Sequence, residues 1–143
     1  MQLTRYSDYS LRVLMYLAIR TEYLATIEEI SLAYGISRAH LMKVVHQLGR
    51  AGFLETVRGR GGGIQLARAP EEISVGEVLR HTDRMELVEC FEPGANPCLI
   101  EPACGLKAAL AEALDAFLAV VDQYTVADLI ARRRKPLALL LDR

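Results

Sequence analysis

All three cysteines of this 143-residue chain fall in one short segment, CFEPGANPCLIEPAC, as Cys90, Cys98 and Cys104. Thiolates bind soft and borderline metals, and three on one loop can hold three corners of a zinc or iron–sulfur site. The spacing, C-x7-C-x5-C, contains neither the C-x2-C pair of a zinc finger nor the C-x-x-C of a thioredoxin-like enzyme. Longer spacers suit a bulkier cluster. Pro93, Gly94, Pro97 and Pro102 keep the segment off a helix, so that sulfurs can converge from several directions. Two other readings stay open: a thiol switch working through sulfenate or disulfide, and three unrelated thiols. A metal site needs something at its fourth position, whether a histidine, a carboxylate, a small molecule or an open site. Lys107 stands three residues beyond Cys104 and cannot ligate while protonated. That directs attention to a carboxylate from elsewhere.

A second group of residues suits nucleic acid. In SRAHLMKVVHQLGRAG, Ser37 can cap a helix whose first turns carry Arg38, Ala39, His40 and Lys43, while Leu41, Val44, Val45 and Leu48 form its buried face. A recognition helix reads base edges with its N-terminal residues: Arg or Lys reaches guanine, and a small Ala can meet a thymine methyl. Arg58 and Arg60 in RGRGGG suit phosphates or a narrow minor groove, and the glycines allow close backbone approach. The competing reading is a basic, solvated surface. His40 and His46 suit surface or packing roles better than metal ligation.

The elements that must position these groups are legible in order. TRYSDYSLRVLMYLAIR has one apolar helical face. Thr26 and Glu29 form a capping box for a short helix that stops at Gly35. The Ser37 helix follows and ends at Gly52, which makes a helix-turn-helix. Two strand-prone runs, 53–57 and 64–66, flank the basic tip, so the spacing predicts a wing. Ser74 caps a helix running to about residue 80. After the cysteines, residues 103–123 form a long amphipathic helix with Leu106, Leu110, Leu114, Phe117, Val120 and Val121 on its stripe. Either that stripe pairs with a second copy, or it packs on the winged domain of its own chain. Thr125 starts a final short helix, followed by RRRK (read as a helix end and solvated surface) and an apolar tail.

The net charge of −1 hides an asymmetry: residues 1–70 carry nine Lys or Arg against five Asp or Glu, and residues 71–143 carry eight against thirteen. A basic first half suits a polyanionic partner. The opening MQLTRYSDYSLRVLMYLAIR is charged throughout and has no uninterrupted apolar span, so neither a signal peptide nor a membrane segment is expected, and a cytoplasmic setting is. No nucleophile–base pair or phosphate loop points to an enzyme; RGRGGG lacks the Lys-Ser/Thr of a P-loop.

Together, MQLTRYSDYSLR, YGISRAHLMKVVHQLGRAGF, VRGRGGGI, VGEVLR, LVEC, EPACGLKAAL and QYTVADLI resemble the nitric-oxide-sensing repressors of the BadM/Rrf winged-helix family, essentially end to end. The resemblance implies a homodimer on a palindromic double-stranded operator, with one iron–sulfur cluster per subunit and nitric oxide as the signal. It carries the cluster ligands onto Cys90, Cys98 and Cys104, with Asp8 of the partner subunit completing a 4Fe–4S site in preference to 2Fe–2S. Arg12 is a possible charge partner of Asp8. Without the resemblance, Asp8 reads as a helix cap or dipole partner. IscR-type relatives use a histidine where Lys107 stands, which argues against that type. The first cysteine spacer is longer than in many relatives, which puts the loop path and cluster access in doubt. Oxygen, redox state or iron–sulfur supply remain alternative signals. The expected architecture is mostly α: a winged helix-turn-helix domain over 1–80, a cluster loop over 81–104, and a dimerisation helix with a C-terminal helix over 105–143.

Overall fold

A computed structural model describes residues 2–92, 94 and 98–142. It contains seven α-helices among the described residues: α1 Arg5–Ile19, α2 Ile27–Tyr34, α3 Arg38–Arg50, α4 Val75–Thr82, α5 Gly105–Val121, α6 Val126–Ala131 and α7 Arg134–Leu141. Two strands, β1 Leu54–Val57 and β2 Gly63–Leu66, pair antiparallel with Leu54 opposite Leu66 and Val57 opposite Gly63. The fold is a winged helix-turn-helix with a long helix behind it.

The local rules hold at the helix ends. Thr26 Oγ1 accepts from Glu29 N, and Glu29 reaches back to Thr26 N at 2.6 Å, so α2 starts with a closed capping box. Gly35 ends α2 at φ +65, where a Cβ would be strained, and Ser31 Oγ donates to Ile36 O at 2.6 Å across the turn. Ser37 caps α3 by accepting from His40 N at 3.3 Å. These caps set where α2 ends and α3 begins.

α1 is the central element. Its face Val13, Leu14, Tyr16, Leu17, Ala18 and Ile19 is buried against Ile30, Leu41, Val44, Leu48, Phe53 and Ile64. Full burial of side chains such as Leu14, Phe53 and Leu41 contributes about 1.5–3 kcal/mol each. The wing is stitched to this core at its root. Ala25 and Ile64 exchange backbone hydrogen bonds of 3.0 and 2.7 Å, so the segment before α2 extends the hairpin by one bridge.

The C-terminal helices depart from the expected partition. Val126 and Ile130 of α6 are in the same core as α1, and Ser74 bridges Thr125, so residues 125–131 belong physically to the winged unit. The apolar tail is helix α7, with Leu137, Ala138 and Leu141 packed on that core. The basic run is divided between two helices. Arg132 caps the end of α6, while Arg134 and Lys135 open α7, where their charge opposes the helix dipole. Arg134 is held there because its guanidinium donates to the Ile19 carbonyl at 3.1 Å, closing the end of α1. Lone helical periodicity cannot reveal such a return.

Helix α5 is the opposite case. It has seventeen residues, mostly apolar, and none is buried. At its end Asp122 accepts two bonds from Arg80 of α4, at 2.6 and 2.7 Å. Along the stripe, Leu110, Leu114, Phe117 and Val121 are half-buried, and Leu106 and Val120 are exposed. Leu110, Ala113, Leu114 and Phe117 form, with Leu87 and Val88, an open apolar groove of about 420 Å³.

Candidate functional site

The candidate nucleic-acid face comprises α3 and the wing. Ser37, Arg38, Ala39, His40 and Lys43 are all exposed, while Leu41, Val44, Val45 and Leu48 between them are buried. The helix thus presents its first two turns outward. Arg58 and Arg60 are exposed at the hairpin tip. Behind α3 lies a small cleft of about 200 Å³, lined by Arg5, Tyr6 and Tyr9 of α1 and by His40, Lys43 and Val44. The Tyr9 and His40 rings are 6.1 Å apart, so the first turns of α1 buttress the exposed turn of α3.

Asp8 sits in the first turn of α1, but it is not the cap. That role falls to Thr4, whose Oγ1 accepts from Ser7 N at 3.2 Å. Asp8 pairs with Arg12 one turn on, with bonds of 3.0 Å to Nε and 2.9 Å to Nη2. The Arg12 guanidinium also lies over the Tyr9 and Tyr34 rings, at 6.0 and 5.9 Å. Asp8 remains about half exposed, so its carboxylate is accessible to another chain.

Cys90 lies in a 3-10 turn, Glu89–Phe91, and Cys104 is the N-cap of α5; both are half-buried, and Cys98 is exposed. Pro102 opens a second 3-10 turn, Glu101–Ala103, so it bends the segment more than it extends it. Pro93 and Pro97 lie outside the described residues. Lys107 hydrogen-bonds Glu101, and this contact, followed by the negative charge available at Cys90 and Cys104, raises its pKa above the ordinary value. Among the described residues, no three His, Cys, Asp or Glu side chains are close enough to hold a metal ion within this one chain. The donor set nevertheless fits an iron–sulfur cluster chemically, because it offers three free soft sulfur ligands in one segment.

One feature was not legible beforehand. Asp83, the residue that ends α4, accepts from Thr4 N at 2.7 Å and from Ser7 Oγ at 2.9 Å. These bonds hold its carboxyl below the usual carboxylate range, against the opposing effect of partial burial. The available signal was a mismatch: an Asp at a helix C-terminus opposes the dipole and needs a partner elsewhere.

With this geometry in hand, comparison with known proteins is informative. The HTH-type transcriptional regulator NsrR of Bacillus subtilis (strain 168) is 52% identical over 142 residues, covering 98% of this chain and 97% of that protein. NsrR of Shouchella clausii (strain KSM-K16) is 51% identical, covering 98% and 95%. These relatives are named as regulators, a non-enzymatic role. The structure of CymR, the global cysteine regulator of B. subtilis, superposes with a TM-score of 0.73 at 24% identity, covering 92% of this chain and 98% of that one, which supports the fold. A family model described as Rrf2, iron-dependent transcriptional regulator, matches residues 3–132. The winged helix-turn-helix seen here is that of the Rrf2 transcriptional regulators, and this chain belongs to that family.

Proposed function

We propose that the protein is a homodimeric transcriptional repressor of the cytoplasm whose hold on a palindromic operator depends on an iron–sulfur cluster and is released by nitric oxide. One juxtaposition carries this reading: Cys104 is the N-cap position of α5, the long helix that this chain leaves without a buried residue. Pairing of α5 with its twin fixes two copies of α3 about a two-fold axis, which suits a palindromic site. The groove of Leu87, Val88, Leu110 and Phe117 supplies apolar surface for that contact.

Cys90, Cys98 and Cys104 would hold the cluster, 4Fe–4S in preference to 2Fe–2S, and Asp8 of the partner subunit would complete it. Two observations support this fourth ligand: Asp8 is exposed enough to reach another chain, and Arg12 orients its carboxylate. When bound, the cluster supplies iron that reacts with nitric oxide. Arg38, Ala39, His40 and Lys43 read base edges, Ser37 fixes the turn that presents them, and Arg58 and Arg60 hold the backbone. A change at the cysteine segment alters the dimer's hold on α1, and so the placement of α3; two states of unequal DNA affinity suffice.

The test begins with anaerobic purification and an absorption titration with nitric oxide, followed by DNA binding of cluster-loaded and cluster-free protein at equal salt. Brown protein that bleaches with nitric oxide and binds DNA more tightly when loaded is expected. Equal DNA affinity of the two forms removes the cluster from the switch. Colourless protein after anaerobic reconstitution moves sensing to the thiols.

A further inference from the structure

The polar cluster joining α4 to α1 has no place in the site as described so far. Thr4 is the N-cap of α1, and a capping box there would need a side chain at Ser7 long enough to return to Thr4 N. Ser7 is too short. The return bond comes instead from Asp83, seventy-nine residues away, whose Oδ2 accepts from Thr4 N at 2.7 Å and from Ser7 Oγ at 2.9 Å. Thr82 Oγ1 lies 3.0 Å from Ser7 Oγ and 2.8 Å from the Val78 carbonyl, and both Ser7 and Thr82 are buried. Asp83 Oδ1 accepts from Arg84 N at 2.9 Å, so the same carboxylate fixes the first peptide of the segment that leads to Cys90.

This places one side chain between the cysteine segment and the first turn of α1. On one side, Asp83 is extended, at φ −135 and ψ 157, and the chain leaves α4 through it directly into the cysteine segment. On the other, the turn it closes carries Asp8 and precedes Tyr9, whose ring buttresses His40 on the exposed face of α3. A carboxylate at a helix N-terminus also favours the dipole, so this grip is charge-assisted.

We propose that Asp83 is a positioning residue, the intrachain tether through which the cysteine segment sets the first turn of α1 and thereby the recognition helix. This inference rests on the reading that the cysteines govern DNA affinity, and adds a route within one subunit to the one between subunits. Rotation of the segment about residue 83 withdraws the acceptor from Thr4 N and Ser7 Oγ together. The first turn of α1 then loses its return bond, and Tyr9 its fixed position against His40.

The test uses full-length wild type, Asp83→Ala and Asp83→Asn, with a duplex selected from a random pool by cluster-loaded wild type. The decisive readout is the ratio of DNA affinities of loaded and cluster-free protein, with iron and sulfide per chain measured in each. Asp83→Ala is expected to load normally yet lower that ratio by about tenfold, while Asp83→Asn, which keeps an acceptor oxygen, restores much of it. A merely structural role lowers both affinities alike and leaves the ratio intact, which overturns the tether. A wild-type ratio of one overturns the cluster reading and the tether with it. Independently of DNA and cluster, amide exchange at residues 4–9 of cluster-free protein should rise in Asp83→Ala, with the wing unchanged. Unchanged exchange there also overturns the proposal. If Asp83→Ala does not fold, Ser7→Ala removes one of the two tether bonds and is read in the same way.

Discussion

At the scale of single residues, the proposed DNA face separates into two kinds of contact. Arg38 is exposed at the start of α3, where a bidentate contact to a guanine distinguishes that base by about 1–3 kcal/mol. Arg60 is exposed at a glycine-rich tip with no fixed frame for base reading, which suits a phosphate. Arg38→Ala should therefore relax preference at one operator position, whereas Arg60→Ala should weaken binding to every sequence and reduce the salt slope by about 1. Titrations of operator and scrambled duplexes across a salt series distinguish the two; the same uniform loss from both variants rejects direct readout by Arg38. Tyr34 makes a different kind of prediction. Its hydroxyl donates to the Arg12 carbonyl at 3.1 Å, and burial pushes its pKa from 10.0 up to about 12. The folded state holds the neutral phenol, so this contribution to stability is complete below pH 10 and is lost as pH rises to about 12. Tyr6 and Tyr16 shift in the same direction, so Tyr34→Phe should make the decline in denaturation midpoint over that window shallower without abolishing it.

At the scale of elements, the join between α4 and α5 rests on Gly76. A Cβ at that position would come within 1.8 Å of Asp122 Oδ1 and 2.9 Å of Arg80 Nη1, the ion pair linking the two helices. Alanine is favoured over glycine within a helix by up to about 1 kcal/mol, and the obstructing atoms are side-chain ends that can swing into solvent. The two effects oppose each other, so Gly76→Ala should change global stability by less than about 1 kcal/mol while breaking the pair. The carboxyl of Asp122, held low chiefly by its hydrogen bond from Arg80, should then titrate closer to an ordinary aspartate. Carboxyl titration by NMR beside chemical denaturation measures both; a large stability loss with Asp122 unmoved would show that the backbone yields instead. The same pairing ties the C-terminal end of α5 to α4.

For the whole molecule, the unburied α5 is the observation behind the proposed dimer. Leu106 and Val120 are 65% and 54% exposed, and the groove beside Phe117 is open. A soluble monomer rarely leaves so continuous an apolar stripe uncovered. Phe117→Glu puts a charge into that surface and should give a folded monomer by sedimentation, with DNA affinity reduced far more than either arginine variant achieves, because two half-sites are no longer bound as one. A Phe117→Glu protein that remains dimeric rejects α5 as the interface. Among the described residues, no helix is long and apolar enough to cross a membrane.

How much of this was in the sequence follows from the range of each interaction. The capping box at Thr26, the turn at Gly35, the cap at Ser37 and the pairing of the two strands are contacts over a few residues, and composition and spacing specify them. The alternation of buried Leu41, Val44, Val45 and Leu48 with exposed Arg38, His40 and Lys43 follows from helical period alone. The return of α6 and α7 to the core, the splitting of the basic run, and the pairing of Lys107 with Glu101 were not legible. Nor was the grip of Asp83 on Thr4, between residues far apart in the chain whose own neighbours do not announce it. Local hydrogen bonds and periodicity determined the winged helix and marked the cysteines as a site. Only tertiary structure decided which distant groups satisfy the helix ends and leave α5 bare, because those choices depend on what folding brings together and not on what stands next in the chain.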